Sequence, residues 1–323
     1  SHACSPRAVS RVAPSHTHVT GNRSAPGLLD PAVRLLAKCG GSVLGRVWVP
    51  RLHELTGDGD AEYYESCNSD LDGYPTYHAF VFDLQTDTDG NFYFVADGNM
   101  VDPYLPMHGS IMKLSKDGSK LEEFARGFRA ANGMSVGPNN EITCSDNQGH
   151  WTPSSKISWV KRGGFYGYGG DPRQPRFAAF NQEKPATWYD PPLCWIPMSA
   201  DNSSGGQIWV TSDRWGLPRG SLLHTSYGMC TLMSVLMQDV DGQMQGGIWS
   251  FPLKFASGIM RGQFNPKAGQ LYVCGLKGWQ TVAREDAALQ RVRFTTKTRP
   301  SPVVLVRLAK GLELQSSTAL CRD

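Results

Sequence analysis

An all-β propeller of four-stranded antiparallel blades is the fold this sequence predicts, and three observations predict it. Glycine, proline and aromatics are abundant (35 Gly, 21 Pro, 13 Phe, 11 Tyr and 9 Trp in 323 residues), while only 19% of residues are charged. That balance favours short strands and tight turns over long amphipathic helices. One local pattern also repeats: an apolar or alternating run meets an Asp, Asn or Gly turn and continues into a short aromatic or β-branched strand, as in a β-hairpin. The pattern recurs at an interval close to, and in its later copies above, the roughly 40–50 residues of a propeller blade. A β-sandwich with similar turns is the competing architecture.

Residues 1–45 are rich in Ser, Ala, Arg, Pro and His and poor in aromatics. They read as an irregular arm, with one short helix at Asp30–Lys38 (DPAVRLLAK). The propeller domain is expected over 46–300. Its hairpins are Phe82–Asp97 (FDLQTDTDGNFYFVAD), Ile111–Phe124 (IMKLSKDGSKLEEF), Met134–Asn147 (MSVGPNNEITCSDN), Ser199–Asp213 (SADNSSGGQIWVTSD) and Gly262–Gly275 (GQFNPKAGQLYVCG). Gly90, Asn139, Gly206 and Gly269 are taken as equivalent turn points, with a long loop over Gly163–Pro192. The densest apolar run, Tyr227–Met237, reads as a buried strand pair. Four to five blades fit, so either the arm lends strands that close the ring or the chain is part of a longer parent; an open ring exposes strand edges. Residues 301–323 form a tail with one strand at Pro302–Leu308.

Net charge is +3, with no basic run dense enough for a nucleic-acid surface. No stretch approaches the roughly 18–20 apolar residues of a membrane helix. No basic segment followed by an apolar one stands at the N-terminus, so a secretion signal, if the protein has one, lies outside this sequence. The eight cysteines form no CxxC pair and no zinc spacing. Cys194 and Cys230 are the pair to test for a bridge; buried free thiols are the equal alternative. Neither G-x-S-x-G nor G-x-G-x-x-G occurs, which leaves serine-hydrolase and dinucleotide readings without support.

The stretch Gly127–Tyr168 (GFRAANGMSVGPNNEITCSDNQGHWTPSSKISWVKRGGFYGY) carries an Arg-x-x-Asn-Gly strand (Arg129, Asn132, Gly133), a Ser-Asp-Asn-x-Gly turn (Ser145 to Gly149) and a Lys-x-Gly-Gly-x-Tyr-Gly exit (Lys161 to Gly167). Together with Val47–Glu65, Pro106–Gly118, Gly205–Gly216 and Phe255–Thr281, it resembles the soluble glucose/sorbosone dehydrogenases that use pyrroloquinoline quinone (PQQ). The branch it most resembles occurs in large multidomain proteins of planctomycete-type bacteria, often fused to haem-binding domains. The resemblance spans about 46–298. It implies a six-bladed type of propeller, here with length for about five blades, a periplasmic or secreted location, a carbohydrate substrate, and a haem or cytochrome module in a longer parent. No CxxCH haem motif is present in this sequence.

The same resemblance implies site residues. His78 matches the general base that takes the proton from the sugar C1 hydroxyl, with the register off by about one residue; imidazole titrates near neutrality and suits that task. Arg129 and Asn132 match the residues that bind the quinone carboxylates and carbonyls, the Asn being displaced, and Lys277 (CGLKGW) matches a further quinone contact. The arginines that complete the family's clamp have no counterpart. For calcium, only Asp146 and Asn147 stand near the family's position, where carboxylates are missing, although calcium takes six to eight oxygen ligands. The cluster TGDGDAEYYE (Asp58, Asp60, Glu62, Glu65) resembles an EF-type loop but has His53 at the first ligand position; a solvated turn is its alternative reading.

His108, His224, Trp151, Trp215 and Trp279 are candidates to face a central channel, where indole faces stack on sugar rings. Three functions follow: a PQQ-dependent aldose dehydrogenase assisted by calcium, a non-catalytic carbohydrate- or protein-binding propeller, and a metal-dependent lactonase-like hydrolase. In the third, Asn132 serves as a metal ligand, with no convincing Glu partner.

Overall fold

The computed structural model describes residues 33–37, 40–44, 49–53, 55–56, 62–72, 80–98, 107–149, 152–168, 189–294 and 302–316. All regular structure within them is β. Alternating turn and strand chemistry produces consecutive antiparallel sheets, each strand pairing with its sequence neighbour.

The first sheet contains β1 (Val33–Ala37), β2 (Gly40–Leu44), β3 (Val49–His53) and β4 (Tyr63–Asn68); the second β5 (Val81–Thr86), β6 (Phe92–Ala96), β7 (Ser110–Leu114) and β8 (Leu121–Arg126). The third holds β9 (Gly133–Val136), β10 (Ile142–Asp146), β11 (Ser155–Val160) and β12 (Cys194–Ile196). The fourth holds β13 (Ser204–Trp209), β14 (Leu222–Ser226), β15 (Thr231–Val240) and β16 (Gln243–Ser250). A three-stranded sheet follows with β17 (Arg261–Phe264), β18 (Leu271–Leu276) and β19 (Ala287–Val292), then a hairpin of β20 (Pro302–Leu308) and β21 (Gly311–Ser316).

The first strands of successive sheets touch in chain order, β1 to β5, β5 to β9, β9 to β13 and β13 to β17. They are therefore the innermost strands of five blades arranged around an axis, the propeller the sequence predicts. β20 packs against β15 and β16 on the outer side of the fourth blade.

Four apolar clusters fill the spaces between the five blades. Val81, Leu84, Phe94 and Met112 pack with Val49 between the first and second. Val95, Ile111, Met134 and Cys144 lie between the second and third, and Ile157, Ile196, Trp209 and Leu222 between the third and fourth. Ile208, Leu223, Phe264 and Leu271 lie between the fourth and fifth. The second, third and fourth blades are thus layers covered on both faces, which explains strands there that read as near-continuous apolar runs.

Several sequence expectations are corrected. Asp30–Lys38 is not a helix: Val33–Ala37 is β1, paired with β2, so the segment read as an arm lends two strands to the first blade. Asp-Pro before an Ala/Leu/Lys run favours a helix locally, and pairing in the sheet overrides that propensity. Gly206 is no turn point but lies inside β13. Ser199–Asp213 is therefore a turn leading into one strand, whose hairpin partner is β14. Tyr227–Met237 is a turn followed by part of the single strand β15. Cys194 and Cys230 are free thiols, one on β12 and the other in the β14–β15 turn of the next blade.

Glycines in the innermost strands serve close approach. A Cβ on Gly205 would stand 2.3 Å from the Ile259 carbonyl oxygen, and one on Gly133 2.5 Å from the Gly205 carbonyl oxygen. Gly205→Ala is expected to destabilise the protein by roughly 3 kcal/mol, because the neighbour is backbone and cannot yield. Urea unfolding of the variant checks this; an unchanged midpoint would contradict the packing described.

Candidate functional site

All innermost strands run the same way, so the connections leading into them and the loops between second and third strands share one end of the propeller. That end carries Arg129 to Asn132 ahead of β9, Asn147 to Thr152 after β10, Asp201 to Ser203 ahead of β13, and Lys277 after β18. The chain thus brings Arg129, Asn132, Asp146, Asn147 and Lys277 to one end. His78 lies outside the described residues, as do Trp151, Asp58 and Asp60.

Hydrogen bonds stitch this end together. Asn132 Nδ2 donates to the Ser204 carbonyl (2.8 Å), and the Ser204 N–H donates to Asn147 Oδ1 (2.7 Å). Ser145 Oγ donates to the Gly205 carbonyl (2.7 Å). The Lys277 loop is tied in through Asn202 Nδ2, which donates to the Gln280 carbonyl (3.2 Å), and through the Val282 N–H on the Gly228 carbonyl (2.9 Å). Lys277 itself is exposed, and Trp279 beside it is 80% exposed.

Arg261, the first residue of β17, reaches across the axis. Its Nε lies 2.7 Å from Asp83 Oδ1 on β5, and its Nη2 donates to the Asn132 carbonyl (2.7 Å). The second and fifth blades are not neighbours, so this ion pair closes the axis at that level. Asp83 sits in a bulge with φ of 55°, and its Oδ2 accepts the Met134 N–H (2.8 Å). A non-glycine residue in that conformation marks a position held by its surroundings. Burial raises the Asp83 carboxyl above its ordinary value, and the Arg261 charge pulls it back only in part.

In the fourth blade, buried Asp201 collects donors from Ser204 Oγ (2.6 Å), Ser226 Oγ (2.7 Å) and His224 Nε2 (2.7 Å). Burial opposes its charge, but these hydrogen bonds and the His224 charge outweigh it and hold the carboxyl below its ordinary value. His224 is fully buried in this network, and His108 is buried with its ring nitrogens on the Asp97 and Asp72 carbonyls (both 3.1 Å). Neither histidine faces a channel. Trp215 also leaves the candidate set: it packs against Phe264 and Phe251 between blades.

A quinone needs cationic and amide partners, and this end offers them. Arg129 spends Nη1 on the Gln148 carbonyl (3.0 Å), while its Nε and Asn132 Oδ1 are buried without a hydrogen-bond partner among the described residues. Such orphaned atoms cost free energy unless a ligand or water completes them. Arg129 and Lys277 are cationic donors that suit an acidic cofactor, whereas Asn132, its Nδ2 spent on the Ser204 carbonyl, offers only the acceptor Oδ1, which suits a ligand N–H and not a carboxylate.

Calcium does not fit at Asp146 and Asn147. Asp146 Oδ1 accepts the Ala130 N–H (2.8 Å), and both its oxygens accept the Arg129 N–H. The Lys156 ammonium stands 3.8 Å from Oδ2, where it repels a second cation. Asn147 Oδ1 is spent on Ser204. Among the described residues no group of three or more His, Cys, Asp or Glu forms a metal cluster. In the acidic loop, Glu65 faces His53 (3.0 Å) and Arg51 (3.4 Å), and Glu62 accepts the Leu55 N–H and the Thr56 hydroxyl.

Reading the sequence does not single out Asp83, Arg261, Asp201 or Lys156. The one signal available is a charged residue inside, or at the start of, an apolar strand, which must find a partner once buried.

No protein-family model and no curated protein matches the chain. Solved structures do. A glucose dehydrogenase crystal structure is 15% identical, with a TM-score of 0.57, covering 79% of this chain and 74% of the other. An oxidoreductase (glucose dehydrogenase) of Thermus thermophilus is 18% identical, TM-score 0.55, covering 78% of each chain. The PQQ-bound aldose sugar dehydrogenase of Streptomyces coelicolor is 11% identical, TM-score 0.53, covering 79% of this chain and 73% of the other. At these identities the likeness establishes a shared fold. No helix among the described residues is long and apolar enough to cross a membrane.

Proposed function

We propose that the chain is a sugar dehydrogenase-like propeller that binds pyrroloquinoline quinone at the end carrying Arg129, Asn132 and Lys277 and oxidises an aldose there. The observation that carries this reading is the pair of buried polar atoms at that end, Arg129 Nε and Asn132 Oδ1, that have no hydrogen-bond partner among the described residues. The solved relatives that share the fold include one with PQQ bound. When bound, the quinone supplies the hydride acceptor.

The chain's own residues do the rest. Arg129 and Lys277 pair with quinone carboxylates, Arg129 through a planar guanidinium suited to them. Asn132 Oδ1 accepts a hydrogen bond from an N–H of the ligand. His78, in the segment leading to β5, is proposed as the base that removes the proton from the C1 hydroxyl, so that the bond to hydrogen at C1 can break. The Arg261–Asp83 pair fixes the carbonyl of Asn132 from across the axis and keeps the site backbone in place. No step is assigned to calcium, because Lys156 and backbone N–H groups already occupy the Asp146 oxygens. A periplasmic or secreted location, a haem-binding module elsewhere in a longer parent and kinship with the planctomycete-type multidomain branch belong to the same proposal.

His78→Ala is expected to abolish PQQ-dependent sugar oxidation, measured with an artificial electron acceptor, while quinone binding persists. Unchanged turnover in that variant removes His78 as the base. A second reading, a carbohydrate-binding propeller without catalysis, is favoured by the missing calcium ligands. It expects saccharide binding by the wild type with no oxidation at any quinone concentration.

A further inference from the structure

On the outer side of the third blade, a cavity of about 310 Å³ opens beside the candidate site. Its lining includes Gly149, Thr152, Lys156, Tyr166, Tyr189 and Trp195. We propose that this cavity is a second subsite that binds one pyranose ring of a neutral saccharide, with Trp195 as the stacking platform and Thr152 as a hydrogen-bonding partner. The proposal rests on the carbohydrate reading given above and adds a place for a sugar unit away from the reacting one.

Four observations point to this ligand. Trp195 is the middle residue of β12, and it is 39% exposed between two buried neighbours, so its indole is presented outward. Aromatic faces stack on the partly apolar faces of pyranose rings. The ring is also held by Lys156, its cross-strand partner, whose Nζ lies 5.6 Å from the ring centroid.

Second, Thr152 Oγ1 is buried, lines the cavity and has no hydrogen-bond partner among the described residues. A hydroxyl both donates and accepts, as sugar hydroxyls require.

Third, the cavity carries no net charge. The Lys156 ammonium is matched by Asp146 at 3.8 Å and also donates to the Tyr166 carbonyl. Among the residues that line the cavity, a free phosphate or carboxylate finds no unpaired cation, and a neutral polyol is the better match. The volume sits at the small end of the roughly 300–1,000 Å³ range of small-molecule pockets, which suits one ring.

Fourth, the cavity borders the candidate site through Gly149 in its lining. Gly149 lies under the Arg129 guanidinium so closely that a Cβ there would stand 2.1 Å from Arg129 Cζ.

The test is calorimetric titration of the full chain, without quinone, with glucose, galactose, mannose, xylose, cellobiose and maltose. At least one is expected to bind in the millimolar range. Trp195→Ala should weaken that binding by more than about tenfold, in line with the loss of a stacking aromatic. Trp195→Phe should restore most of it, and Thr152→Val should weaken it several-fold. Circular dichroism confirms folding, and if Trp195→Ala does not fold, the Phe and Val variants carry the test.

No binding by any of these sugars at tens of millimolar overturns the proposal. So does binding indifferent to both positions. Saccharide binding lost in Trp195→Ala but unaccompanied by quinone-dependent oxidation in the wild type supports the subsite while removing the dehydrogenase reading.

Discussion

Lys156→Met is expected to destabilise the fold by about 3 kcal/mol, because it strands the Asp146 carboxylate in the protein interior. Both side chains are almost completely buried, and their charges lie 3.8 Å apart. Burial pushes the Lys156 amine below its ordinary value, and the Asp146 charge opposes that shift without cancelling it. Asp146 keeps its backbone donors from Arg129 and Ala130 in the variant, which places the loss at the lower end of the range for a broken buried pair. The melting temperature should fall by roughly 4–5 °C, given an unfolding entropy of about 2.1 cal/mol/K per residue. The double variant Asp146→Asn/Lys156→Met should recover most of the loss, since no buried charge is then left alone. A loss in the double variant equal to the sum of the losses in Lys156→Met and Asp146→Asn would mean that the pair is not coupled.

Asp201→Ala should cost more, about 4 kcal/mol, because one substitution leaves the Ser204 and Ser226 hydroxyls and the His224 ring without their acceptor. The pH dependence has a definite sign. The Asp201 carboxyl is held below its ordinary value in the fold. Its contribution is therefore fully present above the unfolded carboxyl pKa of about 4 and is lost as pH falls through the lower folded value. Asp201→Asn keeps the shape but removes this titration, so its stability curve should be flatter below about pH 4 than that of the wild type. Urea midpoints measured across the acid range check this; parallel curves would contradict the network.

The contrast between these buried acids and the strands around them explains what is legible in the sequence. Hairpins such as β5–β6, β7–β8, β9–β10 and β17–β18 are visible because turn chemistry and apolar runs are local. Gly206 reads as a turn because glycine serves two purposes, and in β13 it serves backbone contact with the fifth blade, where the Met260 carbonyl accepts its N–H (2.9 Å). β1 reads as a helix because Asp-Pro followed by an Ala/Leu/Lys run favours one, and the hairpin with β2 and the packing on β5 override that local propensity.

At the site, the Arg129 to Asn132 segment is legible as a motif, and the loops of one propeller end do carry Asn147 and Lys277 as well. The Arg261–Asp83 bridge is not legible, because it joins blades far apart in sequence that meet only across the axis. The occupation of Asp146 by Lys156 is hidden for a related reason: the two residues are registered partners on β10 and β11, and only the pairing reveals it.

Calorimetric titration of the purified chain with pyrroloquinoline quinone, with and without calcium and a chelator, bears most directly on the proposed cofactor site. Saturable binding is expected, and Arg129→Ala should weaken it by about tenfold or more, as the loss of a charged hydrogen-bond donor implies. No calcium effect exerted through Asp146 or Asn147 is expected. Absence of quinone binding, or binding indifferent to both Arg129→Ala and Lys277→Ala, would contradict the assignment.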